Sequence, residues 1–249
     1  MKEFFDIKYS EHEECKLDLH IPNCENFPVL VFFHGGGLES CDKSDFTDPI
    51  ARPTAEKGVA FVNVNYRMYP NAKFPDFIND SAAAAEWVYK NISRYGNCTD
   101  IFLGGSSAGG YLAQMLYFNK EYLGKYHLTR NDFTGFILDA GQPTAHYNIL
   151  RERGMNTKRV VVDETAPMYF IEDYDEAPPA MILVSEKDIP SRFEQTQLML
   201  SIMKDMGYPA EKIDYHFMKG YSHCEYIWED IYSTKLVEFI KKTVNGLKK

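Results

Sequence analysis

The stretch Gly104-Gly105-Ser106-Ser107-Ala108-Gly109-Gly110 constrains this chain more than any other. A short apolar run, Asp100-Ile101-Phe102-Leu103, leads into it, and a helix-like run, Tyr111–Leu116, leaves it. Strand, Gly-x-Ser-x-Gly, helix describes a nucleophile elbow: a sharp turn at the end of a sheet strand that lifts the hydroxyl of Ser107 above the sheet edge. Gly105 and Gly109 stand two residues to either side, where a Cβ would crowd the turn. The helix that starts there points its free N–H groups and its positive end at the serine. Glycine-rich junctions of this kind also cradle phosphates. This one lacks the Gly-Lys-Ser/Thr ending of a P-loop, and its spacing is not Gly-x-Gly-x-x-Gly. A frame shifted by one residue would make Ser106 the nucleophile, but Ser106 does not have glycine on both sides.

A second motif supports the first. Pro28–Phe33 reads as a buried strand, and it ends in His34-Gly35-Gly36-Gly37. A nucleophile attacking an acyl carbonyl creates an oxyanion, which needs backbone N–H donors converging on one point. Glycines let the backbone reach that point unobstructed. Gly36 and Gly37 are the expected donors from this loop, and the Ala108 N–H completes the hole. His34 is expected to fix the loop by hydrogen bonds. On its own the loop would read as a flexible turn.

The acid and the base of such a site follow the serine in the chain, on loops after later strands. Pro179–Val184 is a strand candidate followed by Ser185-Glu186-Lys187-Asp188, which makes Asp188 the expected acid. Glu186 reads as a solvated loop charge, and Asp139, ending the apolar run Phe136–Leu138, comes one strand too early. Of the seven histidines, His223 hangs on the loop Lys219–His223 behind the strand-like Ile213–Met218 and is the expected base. His216 lies inside that strand. His12, His20, His127 and His146 have no motif around them.

With these residues in view, the chain resembles the α/β-hydrolases of the hormone-sensitive-lipase and acetyl-esterase type. The likeness rests on His34–Gly37, Asn65-Tyr66-Arg67-Met68-Tyr69-Pro70, Lys73-Phe74-Pro75, Asp80, Trp87, Gly105–Gly110, Asp188 and His223. It implies hydrolysis of short-chain carboxylic esters by Ser107, Asp188 and His223. The family's usual Ala-Pro-Glu after Tyr-Arg is replaced here by Tyr69-Pro70-Asn71. The chain also reaches its sheet almost at once, without the longer N-terminal cap of lipase-type members. Both departures bring it nearer to compact esterases, acetylated-sugar esterases and arylformamidases, whose amide or formamide bonds the same residues can cleave. A non-catalytic ligand-binding relative is the rival from another class; the plant gibberellin receptors resemble this family and lack the base histidine, which this chain keeps.

Length and composition agree. The 249 residues suit one α/β-hydrolase domain, 1–249, with a mostly parallel, doubly wound sheet, an antiparallel N-terminal hairpin (Phe4–Tyr9 and Cys15–Ile21) and a minimal cap. Val59–Asn65 reads as a further strand, and Ser81–Tyr95, Glu194–Met206 and Ile231–Val244 as helices. Gln142–Pro178 is the exception; it reads either as a connection packed on the sheet or as a small cap insertion that lines the substrate pocket. A net charge of −9 argues against nucleic acid as a partner. The pairs Lys241-Lys242 and Lys248-Lys249 read as a solvated helix end. The five cysteines show no Cys-x-x-Cys pair, so no metal site and no disulfide framework is expected, and a serine, histidine and aspartate mechanism requires no cofactor. Met1–Asp6 does not open like a signal peptide, and no apolar run is of transmembrane length, so a cytoplasmic location without membrane association is the expectation. The expected partner is a small-molecule ester; monomer and homodimer both stay open.

Overall fold

A computed structural model describes residues 1–247; Lys248 and Lys249 lie outside the described residues. Eight strands form one sheet: β1 (Lys2–Lys8), β2 (Lys16–Ile21), β3 (Asn26–Phe33), β4 (Ala60–Val64), β5 (Asn97–Ser106), β6 (Gly135–Asp139), β7 (Ala180–Lys187) and β8 (Ile213–Ser222). Their order is β1-β2-β4-β3-β5-β6-β7-β8. β1 pairs antiparallel with β2, and β2 antiparallel with β4; every later pairing is parallel. This is the α/β-hydrolase fold.

Among the described residues there are seven α-helices, six between strands and the last after β8: α1 (Arg52–Glu56), α2 (Asp76–Asn91), α3 (Ala108–Phe118), α4 (Lys120–Gly124), α5 (Tyr147–Glu152), α6 (Arg192–Asp205) and α7 (Asp230–Leu247). The strands in the middle of the sheet are apolar on both sides, as parallel strands covered by helices must be. Val29, Val31, Phe33 and Leu103 face a core shared with α2 and α3. Leu30, Phe32, Phe61 and Phe102 face a second core closed by α7 through Leu236, Phe239 and Ile240. α3 is buried along its whole length, which its near absence of charge permits. Fully burying one such phenylalanine contributes about 1.5–3 kcal/mol.

Several element boundaries differ from expectation. α2 begins at Asp76 rather than at Ser81, whose hydroxyl is spent inside the helix on Phe77 O at 2.8 Å. It ends at Asn91, and a 3-10 turn, Ile92–Arg94, completes the run to Tyr95. β7 and β8 outlast their expected ends. Residues 185–187 and 219–222 stay paired across a register shift, Gly220 adopts φ 88°, and its N–H donates to Glu186 Oε2 at 2.7 Å. The loop that carries His223 therefore begins only at that residue.

Segment 142–178 holds α5 and one 3-10 turn, Pro167–Phe170. Tyr111 on α3 ties it down by donating to Thr165 O at 2.8 Å. Met168 packs into the core, Met155 and Phe170 are half-buried, and Tyr169 points to solvent. No described helix is long and apolar enough to cross a membrane.

Candidate active site

β5 runs through the middle of the sheet, with Gly105 opposite Phe33 of β3 and Ser106 opposite Asp139 of β6. The chain leaves the sheet at Ser107, whose N–H donates to Asp139 O at 2.9 Å and whose φ of 56° is a left-handed value unfavourable for a side-chain-bearing residue. The turn closes because its flanks are bare. A Cβ on Gly109 would stand 1.8 Å from Phe33 O, and one on Gly105 would stand 2.4 Å from Gly109 O.

Three side chains from three loops meet here. Ser107 Oγ lies 2.7 Å from His223 Nε2, and His223 Nδ1 lies 2.6 Å from Asp188 Oδ1. A carboxylate can only accept, so Nδ1 carries the proton and Nε2 is the free acceptor that Ser107 faces. The Asp188 side chain is 1% exposed. Burial pushes its carboxyl up, but the hydrogen bond and charge of His223, the nearby Arg192 and the Ile189 N–H outweigh that and hold it below the usual carboxylate value. Backbone N–H groups of Ile189 (2.7 Å, to Oδ1) and Ser185 (3.2 Å, to Oδ2) fix its orientation. The serine, acid and base expected from the sequence thus form one hydrogen-bonded chain.

The glycine loop lies beside them. A Cβ on Gly35 would sit 3.4 Å from Ser107 Cβ. Gly36 and Gly37 turn with φ of 98° and 67°. No hydrogen bond among the described residues uses the N–H of Gly36, Gly37 or Ala108. His34 is buried, which pushes its imidazole below the usual value, and its Nδ1 lies 2.7 Å from Gly35 O. Its ring stacks on Tyr66 at 4.6 Å, and the Tyr66 hydroxyl donates to His34 O at 2.8 Å. The stack continues through Phe46 to Trp228, a residue 61% exposed. In the segment after β4, Arg67 grips the buried Asp80 of α2 with Nε and a terminal nitrogen, each at 2.8 Å.

The competing candidates lie elsewhere. Asp139 is fully buried and accepts from the Tyr226 hydroxyl, not from His223. Burial raises its carboxyl to about 6. Ser106 donates to Cys224 Sγ at 3.2 Å, and that sulfur lies 3.6 Å from His223 Nε2. Glu186 is an exposed charge. His216 on β8 faces Asp214 of the same strand and Lys235 of α7, His20 pairs with Glu3, and His12 and His127 are exposed. His146 is less ordinary than its sequence context implies. It is buried, caps α5 by accepting from Asn148 N at 3.3 Å, and stacks on Tyr147 at 4.4 Å. Neither that residue nor Tyr147 and Asn148, which touch Gly37, has a local sequence signal.

The BD-FAE family model matches residues 17–134. Carboxylesterase NlhH of Mycobacterium tuberculosis is 39% identical over 94 residues, covering 37% of this chain and 29% of that protein. Tuliposide A-converting enzyme b1 of Tulipa gesneriana is 32% identical over 108 residues, with the same coverage of 37% and 29%. The chain thus matches under a third of the length of these curated relatives. Among solved structures, a truncated carbohydrate esterase from gut microbiota superimposes with a TM-score of 0.81 at 17% identity, over 98% of this chain and 96% of that one. Esterase B from Lactobacillus rhamnosis follows with 0.78 at 18%, over 98% and 85%. Fold and matched motifs agree: the chain has the α/β-hydrolase fold, and over its N-terminal half it is similar to the BD-FAE family and to carboxylesterases.

Proposed function

We propose that this protein hydrolyses short-chain carboxylic esters through an acyl-enzyme on Ser107. The observation that carries the reading is the chain of hydrogen bonds Ser107–His223–Asp188 at 2.7 and 2.6 Å. His223 Nε2 takes the hydroxyl proton as Ser107 Oγ attacks the acyl carbon, and Asp188 stabilises the imidazolium that forms. The carbonyl oxygen becomes an oxyanion, held by the N–H groups of Gly36, Gly37 and Ala108. His223 then returns the proton to the leaving alkoxide, and the alcohol departs. A water molecule repeats the sequence on the acyl-enzyme, releasing the acid and restoring Ser107. Three N–H groups without an acceptor among the described residues and a strained nucleophile turn support this reading, since both are states that a reaction partner relieves.

A second reading, removal of acyl groups from a carbohydrate, is favoured by Trp228. Its exposed ring, continuous with the stack behind the glycine loop, offers a flat face on which a sugar ring could lie. Assays of p-nitrophenyl esters from acetyl to decanoyl, an acetylated sugar and a formyl-arylamine test both readings. Wild type should peak between acetyl and butyryl; each further methylene gains roughly 0.8 kcal/mol only where apolar surface encloses it. Ser107→Ala should be inactive on every substrate. A maximum at decanoyl would make segment 142–178 a lid and overturn the short-chain assignment.

A further inference from the structure

Tyr147 opens α5 beside the glycine loop, and its hydroxyl makes no hydrogen bond among the described residues; its backbone N–H donates to Gln142 Oε1 at 3.4 Å. A Cβ on Gly37 would lie 2.1 Å from Tyr147 Oη. Standard backbone dimensions then put this oxygen within about 4.6 Å of Gly37 N, one of the proposed oxyanion donors. The hydroxyl occupies the place where any other residue at 37 would put its side chain.

The placement is held from several sides. Asn148 Nδ2 donates to Gly37 O, so α5 and the glycine loop are joined one residue away. The His146 ring lies against the Tyr147 ring, and Arg151 on the same helix pairs with Glu39 just past the loop. The Tyr147 side chain is half-buried. Burial pushes its phenol above the usual value, so it stays protonated and can donate. A preorganised donor at this point acts only on charge that develops in the reaction.

We propose that Tyr147 is a further catalytic residue, whose hydroxyl donates to the charged oxygen of the tetrahedral intermediate from the α5 side, alongside the amides of Gly36, Gly37 and Ala108. This rests on the serine-hydrolase reading above. The test is Tyr147→Phe, assayed on p-nitrophenyl acetate. One lost oxyanion donor should lower kcat by about 10²-fold, while KM stays within about twofold because the ground-state ester carries little charge. In parallel, a fluorophosphonate should label Ser107 of the wild type. Absence of that label would remove the serine reading itself. With the label present, a variant whose kcat stays within about threefold of wild type, or whose loss lies in KM alone, overturns the role of Tyr147 and leaves the serine reading standing. A wild-type structure with a phenylboronic acid on Ser107 decides the matter without any variant: Tyr147 Oη should lie about 3 Å from a boronate oxygen, and a separation beyond about 4 Å refutes the contact.

Discussion

Replacing Asp188 with asparagine separates orientation from charge in this site. The carboxylate receives three donors: His223 Nδ1–H and Ile189 N–H at Oδ1, and Ser185 N–H at Oδ2. An asparagine with its oxygen at the Oδ1 position keeps the two shorter bonds, of 2.6 and 2.7 Å, and loses only the 3.2 Å contact to Ser185. The flipped amide would set NH2 against two donors. The first orientation therefore wins, and His223 keeps its working tautomer. What disappears is the negative charge beside the imidazolium. Two unit charges about 4 Å apart interact by about 4 kcal/mol at an effective dielectric constant of 20, which is a factor of roughly 10³ in rate. Asp188→Ala also releases the ring from its orientation and should lose on the order of 10⁴ or more. Initial rates of p-nitrophenyl acetate hydrolysis under saturating substrate measure both. Loss below tenfold in the asparagine variant would refute the electrostatic argument. Equal and large losses in the two variants would mean that the amide flips and the tautomer is lost. Glu186→Gln and Asp139→Asn serve as controls, and neither should reproduce the alanine result.

Further outcomes follow from the same geometry. Arg67→Ala leaves Asp80 buried without its bidentate partner, at a cost of about 3–5 kcal/mol; a thermal melt should fall by roughly 10 °C, and Arg67→Lys should restore only part of it because an ammonium cannot supply the fork. Gly109→Ala drives a methyl group to 1.8 Å from Phe33 O, a backbone atom that cannot step aside; the variant should lose about 3 kcal/mol or more together with turnover, and a soluble, active protein with an unchanged melt would contradict the packing of the elbow. Asp139, raised to about 6 by burial, favours the folded state while protonated, and that stability is lost as pH rises from about 4 through 6. Asp139→Asn should therefore gain on the order of 1 kcal/mol relative to wild type between pH 5 and pH 7.5; parallel stability curves in urea at the two pH values would show that Asp139 titrates normally.

The site residues legible in the sequence are those whose role imposes a local pattern. The strained turn at Ser107 demands small neighbours, so Gly105 and Gly109 betray it. The Gly35–Gly37 loop shows itself because its backbone must come close to the reacting centre. Asp188 and His223 could be found because each ends a strand of recognisable composition. Element ends were less legible. The extension of β7 and β8 depends on the bulge at Gly220 and its bond to Glu186, a pairing between residues 34 apart in sequence. Tyr147 and Asn148 had no signal at all: they reach Gly37 across a separation of about 110 residues set by tertiary packing. His146 looked ordinary for the same reason. Arg67 and Asp80 could be picked out by resemblance, but only the fold explains them, as a bidentate ion pair that ties the segment after β4 to α2.

The central claim, that Ser107 is the nucleophile, is tested most directly by intact-mass and peptide mass spectrometry after treatment with a fluorophosphonate probe. The account predicts a single covalent adduct on the peptide containing Ser107 in the wild type, a slower adduct at the same serine in His223→Ala, and none in Ser107→Ala. An adduct on Ser106, or full labelling of Ser107→Ala at any other residue, would contradict it.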